Sequence, residues 1–156
     1  MITIKPVTND CNELNIIRDL FEEYLKELNE NLCFQRFDEE LQNPLKKYGS
    51  PSGSLLLALC DGEPAGCIAL QALSEKGICE MKRLYVRPQF RQFGLGNLLI
   101  KAVLEAAKEK GYNKMVLDTL ERLQPAIKLY IKHGFENRSA YYKNPLPSVV
   151  YMQKVL

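Results

Sequence analysis

The apolar positions of this chain change period several times, and each change marks an element. Residues 1–7 alternate, with Ile2 and Ile4 on one side, as a short strand does. From there Leu14, Ile17, Phe21, Tyr24, Leu25 and Leu28 recur at helical spacing, predicting an amphipathic helix over 11–29. Asp10 and Glu13 at its start have capping-box character, with Asp in place of Ser or Thr. Asn29 to Phe37 reads as a loop. Asp38 is placed to cap a short helix from Glu39 to about Lys47, and the stretch Tyr48 to Gly53 is a turn-rich connector. The period then changes to that of a sheet. Leu55 to Leu59 is a continuous apolar run of strand length inside 54–60, Asp61-Gly62 is a two-residue hairpin signal, and 64–73 is the return strand with Gly66 at a bulge. A further strand covers 78–86 and ends before Pro88. A helix over 96–110 carries Lys108 and Lys110 in its last turn and Gly111 as its cap. A strand over 114–119 follows, then a helix that opens on Gln124-Pro125 and runs to Gly134. Strands over 135–140 and 149–154 close the pattern, joined by an aromatic loop from Tyr141 to Pro147.

Hairpin strands in the middle and strand–helix–strand units later predict an α/β fold, a mixed sheet covered by helices, in a single domain over 1–156. No repeat or linker divides the chain. Hydrophobic residues make up 46% and charged residues 26%, enough apolar material for a core. A net charge of +2 gives no electrostatic footprint for nucleic acid or an anionic membrane. The first residues lack the apolar run of a signal peptide, and no stretch approaches the roughly 18 apolar residues that span a bilayer, so a cytoplasmic location is expected. The five cysteines form no C-x-x-C pair and there is one histidine, His133. They read as reduced, structural thiols with no metal site.

The segment with chemistry in it runs from Leu84 to Gly96. A strand ends, a short loop turns, and Gly94 and Gly96 lead into a helix. Glycines there let the backbone approach a ligand, and the N–H groups of the first helical turn converge where the helix dipole is positive. That is a cradle for a pyrophosphate, with Arg91 nearby. A P-loop would need Gly-Lys-Ser/Thr, but Asn97-Leu98 follows Gly96. A dinucleotide fingerprint would need a small residue where Leu99 stands, although Asp118 lies at a distance suited to a ribose.

Arg91-Gln92-Phe93-Gly94-Leu95-Gly96 resembles the Gln/Arg-x-x-Gly-x-Gly/Ala acetyl-CoA motif of the GNAT superfamily of N-acetyltransferases. Leu129-Tyr130-Ile131-Lys132-His133-Gly134-Phe135 is similar to its later Leu-Tyr-x-x-x-Gly-Phe signature. The order of elements matches over nearly the whole chain. The resemblance implies an acetyl-CoA-dependent N-acetyltransferase working without a metal, in which strands 80–86 and 114–119 splay to admit the pantetheine arm. It implies that the backbone at Leu84, Tyr85 and Val86 binds that arm, and that one N–H there polarises the thioester carbonyl. The N–H groups from Gln92 through Phe93, Gly94, Leu95 and Gly96 to Asn97 would hold the pyrophosphate, supported by Arg91. Tyr130 would protonate the departing thiolate. Glu80, at the offset where some members carry a general base, would take the amine's proton; a structural ion pair with Lys82 is the plain alternative. Strand alternation puts Glu80 on the face of Lys82, Leu84 and Val86. Phe34, Tyr141, Tyr142 and Asn144 are candidates to bind the acceptor, with Gln35 and Phe37 beside them, while Tyr24 and Phe21 read as core. Cys79 is a minor candidate for a covalent acetyl carrier. Leu123 stands where many members place a CoA-contacting asparagine, a contact that Gln124 could replace. The acceptor itself is not legible. A homodimer is implied by analogy, and a non-catalytic acyl-CoA-binding module is the rival reading.

Overall fold

The computed structural model describes residues 1–156 as one seven-stranded sheet in the order β1-β2-β3-β4-β5-β7-β6. The strands are β1 (Ile2–Pro6), β2 (Ser54–Cys60), β3 (Glu63–Ala72), β4 (Ile78–Val86), β5 (Lys114–Leu120), β6 (Glu136–Arg138) and β7 (Val149–Val155). The helices are α1 (Cys11–Leu28), α2 (Phe37–Gln42), α3 (Pro44–Tyr48), α4 (Leu95–Glu109) and α5 (Gln124–Lys132). Neighbouring strands are antiparallel throughout except for β4 and β5, which run parallel on either side of the α4 crossover. The mixed α/β sheet expected from the pattern is what the chain forms.

Local chemistry explains most boundaries. Asp10 accepts a hydrogen bond from the Glu13 N–H at 3.1 Å and starts α1. Asp61 and Gly62 both take positive φ, 49° and 83°, as a tight hairpin turn requires. The apolar run of β2 is buried on both faces. Leu56 and Ala58 pack toward α4, and Leu55 and Leu57 pack toward α1. The helix expected over 39–47 is instead two, because Pro44 has no N–H to continue α2 and starts α3 at its first turn. Asp38 lies inside the first turn of α2 and does not cap it; the capping position is Arg36, in the left-handed region. The short loop expected after Pro88 is a 3-10 turn over Pro88–Phe93.

Two cores lie on opposite faces of the sheet. One packs Leu99, Ile100 and Val103 of α4 and Tyr130 of α5 against Cys79 and Met81. The other packs Ile17, Leu20 and Phe21 of α1 and Tyr48 of α3 against Cys67, Ala69 and Tyr85. Truncating any of these fully buried leucines or isoleucines to alanine would cost about 2–5 kcal/mol.

Candidate active site

The site begins with an irregularity in β4. Cys67 pairs with Tyr85 and Ala69 with Lys82, so Ile68 alone faces two residues, Arg83 and Leu84. Arg83 takes a φ of 61°, a strained region for a residue with a side chain. Such a bulge turns the residues beyond it over. Leu84 and Val86 therefore join the α4 side with Cys79 and Met81, while Tyr85 faces α1. This corrects the expectation that Glu80 shares a face with Leu84 and Val86: strict alternation fails at Arg83.

β4 and β5 pair only from Ile78–Lys114 to Glu80–Val116, although both strands run on. Beyond that point they part. The Arg87 N–H donates to Ala65 of β3 at 2.8 Å, so alternation along the strand turns the N–H groups of Val86 and Leu84 toward the gap, where no strand partner remains. The Val86 carbonyl on that side accepts from Arg91 Nε at 2.9 Å.

A cavity of about 350 Å³ lies at one end of the gap, lined by Leu84, Val86, Gly96, Ala126, Leu129 and others. Gly94 has a φ of 75° and a Cβ there would meet nothing within 4 Å, so the bend is open to a ligand. At Gly96 a Cβ would stand 3.1 Å from Leu129 Cδ1. Gln92 and Phe93 are exposed, Leu95 is buried in the core, and the Asn97 side chain is 2.7 Å from His133 Nε2. Arg91 reaches back to Glu27 on α1 at 2.5 Å, so its side chain braces the loop. Leu123 lines the groove, and the side-chain amide of Gln124 donates to the Glu121 carbonyl at 2.5 Å.

The middle of the gap is lined by Tyr24, Lys82, Leu84, Asp118, Tyr130 and Asn144. Tyr24, expected as core, thus belongs to the wall of both cavities. Tyr130 is buried, and burial raises its phenol well above the ordinary range, with the charge of Asp118 adding to the effect. Its ring meets Phe135 edge-on at 6.0 Å.

At the other end is a polar pocket of about 310 Å³ that includes Phe34, Gln35, Glu80, Tyr141 and Tyr142. Glu80 is 4% exposed. Gln71 Nε2 donates to its Oε1 at 2.7 Å and the Tyr141 hydroxyl to its Oε2 at 2.5 Å. Lys82 Nζ lies 4.0 Å from Glu80 and 3.4 Å from Asp118, so it serves both carboxylates. Asp118 also accepts from the Tyr142 hydroxyl and from Asn144 Nδ2, the latter at 2.8 Å. Burial pushes the Asp118 carboxyl up, but Lys82 and these hydrogen bonds outweigh it and hold the group below its usual range. Gln35 links the cluster to a second one: its Nε2 donates to Tyr142 at 3.2 Å and its Oε1 accepts from Arg83 at 2.9 Å. Arg83 is paired with Glu40 of α2 at 2.7 and 3.0 Å. Phe37, expected at the acceptor site, is buried 5.2 Å from the Arg83 guanidinium instead.

The model for the acetyltransferase (GNAT) family matches residues 15–135. The chain belongs to the GNAT family. An uncharacterized N-acetyltransferase of Schizosaccharomyces pombe is 46% identical over 142 residues, 90% of this chain and 87% of that protein. Among solved structures, an acetyltransferase from Streptococcus agalactiae superposes with a TM-score of 0.81 at 22% identity, covering 99% of this chain and 98% of that one. A PaiA N-acetyltransferase from Thermoplasma acidophilum in complex with coenzyme A has a TM-score of 0.78 at 18% identity, covering 100% of this chain and 99% of that one. Membership makes the protein an N-acetyltransferase that uses acyl-CoA.

Within this GNAT fold the candidates Glu80, Tyr141, Tyr142 and Phe34 come together at one end of the gap, Asn144 adjoins them from the middle through its contact with Tyr142, and Arg91 and Gly96 stand at the other end. Sequence reasoning gave no site role to Arg83, Glu40 or Lys47, and offered Asp118 only a ribose contact. The one available signal was that four charged residues, Glu80, Lys82, Arg83 and Asp118, fall on strands rich in apolar residues; Glu40, in an acidic helix, gave none. Burial of such groups demands partners. No helix is long and apolar enough to cross a membrane.

Proposed function

We propose that this GNAT enzyme moves an acetyl group from acetyl-CoA to a primary amine by direct attack in a ternary complex, with Glu80 receiving the amine's proton and Tyr130 protonating the thiolate. The observation that carries this reading is the parting of β4 and β5 beyond Glu80 and Val116. The central cavity shares Tyr24 and Leu84 with the groove beside Gly96, and Gln35 and Lys82 with the polar pocket. Two substrates can therefore approach from opposite ends and meet in the gap. A covalent relay has poor support: Cys79 is buried on the α4 side, and burial pushes its thiol up to about 12, far from the thiolate that a nucleophile needs.

An alkyl amine with a pKa of about 10.4 is nearly all ammonium at neutral pH and must lose a proton before it can attack. Glu80, held through both oxygens, takes that proton directly or through one water. The nitrogen then bonds to the thioester carbon and the C–S bond breaks. The N–H groups of Leu84 and Val86, without strand partners, are suited to bear on the carbonyl oxygen as charge grows there. The sulfur leaves as thiolate and takes the Tyr130 proton, which burial has kept on the phenol. Solvent carries the proton from Glu80 away, takes the second proton that the nitrogen sheds as the amide forms, and returns one proton to Tyr130. At the far end the N–H groups from Gln92 to Asn97 are suited to the pyrophosphate. A cytoplasmic setting fits five free cysteines.

The test is free-thiol release from acetyl-CoA across a panel of amines, with initial-rate patterns. Intersecting lines for wild type, together with slow release by Glu80→Gln and Tyr130→Phe that still bind acetyl-CoA, are expected. Parallel lines, the mark of a covalent relay, or wild-type rates in Glu80→Gln would overturn the reading.

A further inference from the structure

The six buried or half-buried charges around the acceptor pocket fall into two groups. Beside the gap, the two carboxylates Glu80 and Asp118 share the one ammonium of Lys82. Under α2 and α3, the single carboxylate of Glu40 is shared by the two cations Arg83 and Lys47. The first group is formally one charge negative and the second one charge positive. Glu80 and Lys47 both line the same pocket of about 310 Å³. The pocket therefore has a negative end, where the reacting amine belongs, and a positive end.

The positive end has unused capacity. Glu40 is saturated: Arg83 occupies both its oxygens, and the Tyr48 hydroxyl donates to Oε1 at 2.8 Å. Lys47 reaches that oxygen only at 3.2 Å and the Gln35 carbonyl at 3.4 Å, two long contacts for a group with three donors. Burial depresses Lys47 by more than the attraction of Glu40 restores, and the charges of Arg83 and Lys82 add to the depression. Its side chain remains 27% exposed, toward the pocket whose walls are Phe34, Tyr141 and Tyr142. An anion there would complete the donors of Lys47 and relieve the excess positive charge.

We propose that the acceptor is a small zwitterion, an amine that also carries a carboxylate as a free amino acid does, with its ammonium at Glu80 and its carboxylate on Lys47. This rests on the transferase reading of Glu80. The aromatic walls suit an apolar or aromatic side chain. A peptide N-terminus, whose α-carboxylate is taken up in an amide, lacks the group that Lys47 would hold.

The experiment compares matched amines on the wild-type enzyme: phenylalanine with phenethylamine and phenylalaninamide, and leucine with isopentylamine and leucinamide. Rates are corrected for the fraction of free amine. The carboxylated member of each set is expected to have the higher kcat/KM by about ten- to a hundredfold, the worth of a hydrogen bond to a charged group. Lys47→Met is expected to collapse that ratio, chiefly through the KM of the amino acid, and Lys47→Arg to restore part of it. Equal or better turnover of the uncharged members by wild type, or an equal loss for all members in Lys47→Met, would overturn the zwitterion and leave the transferase reading intact. Absence of turnover with every amine would take both down together. The wild-type comparison decides the matter even if the Lys47 variants do not fold.

Discussion

On one side of the parted strands, the groove beside Gly96 is lined mostly by apolar residues, with Arg91 and Glu27 among them, and most of its lining comes from the stretch 84–97 and from α5. On the other side, the pocket under Glu80 is made of side chains from β3, β4, the segment 34–47 and Tyr141 and Tyr142, joined by hydrogen bonds to one another and to Asp118 of β5 behind them. Main-chain groups are the same in every residue, so the first surface asks only for a backbone path. The second asks for a particular functional group at each position and for each of those groups to be satisfied. One end of the gap is thus suited to a co-substrate common to the family, and the other end can differ between members.

Substitutions that break the contrast should differ accordingly. The largest effect is expected at Glu80→Gln: a fall in kcat of about 10² to 10⁴ with acetyl-CoA affinity retained, measured by steady-state kinetics beside calorimetric titration. A loss confined to acetyl-CoA binding would move Glu80 to the other side of the comparison. Next is Arg83→Met, which leaves the Glu40 carboxylate buried without its main partner and should cost about 3–5 kcal/mol in urea unfolding. Pairing it with Glu40→Leu should recover most of that loss. If Arg83→Met alone costs less than about 1 kcal/mol, as for an exposed pair, the network does not hold α2 to the sheet.

The same network sets an acid limit. Burial acts to raise Glu40, but Arg83 outweighs it, and the folded-state pKa is lowered; Asp118 is lowered as well. A depressed carboxylate contributes stability that is complete above its unfolded pKa, about 4, and is lost as pH falls through the folded value. The urea midpoint of wild type should therefore drop below about pH 4, and the Arg83→Met/Glu40→Leu variant should drop less. Parallel acid profiles would show that these charges do not govern it. Tyr130→Phe should slow kcat by about ten- to a hundredfold, at the low end of acid catalysis, because a thiolate of pKa about 8.5 leaves readily. An undiminished rate would mean that solvent protonates the sulfur. The smallest effect is expected at Gly94→Ala, where the φ of 75° costs about 1 kcal/mol and no atom obstructs the new methyl. A much larger loss of acetyl-CoA affinity would show that the ligand's path lies against that Cα.

The contrast also explains what could be read from the chain. The glycine loop and its helix are consecutive residues with strong local preferences, and so are Asp10, Asp61-Gly62 and the β2 run. Their positions were legible before any coordinates. Pro44 was legible too, and its break in the helix could have been anticipated from its missing N–H. What stayed hidden depends on tertiary register. Arg83 inverts the faces of Leu84 and Val86 because α2 supplies Glu40 to hold it, and residues 43 positions apart show no such pairing in a periodicity. Asp118 showed in the sequence only a spacing suited to a ribose; its place at the site depends on the loop carrying Tyr142 and Asn144 folding onto it.

The gap between β4 and β5 has a last consequence, for the lifetime of the protein in a cell. A molecule that fills the gap binds the folded chain alone, and by mass action adds stability that grows with its concentration, about 2.7 kcal/mol at a hundred times its dissociation constant. Chains exposed to quality control when metabolic supplies of that ligand run down would open and be degraded sooner. The abundance of the enzyme would then follow the abundance of its own co-substrate, with no regulator needed beyond a pair of strands that part.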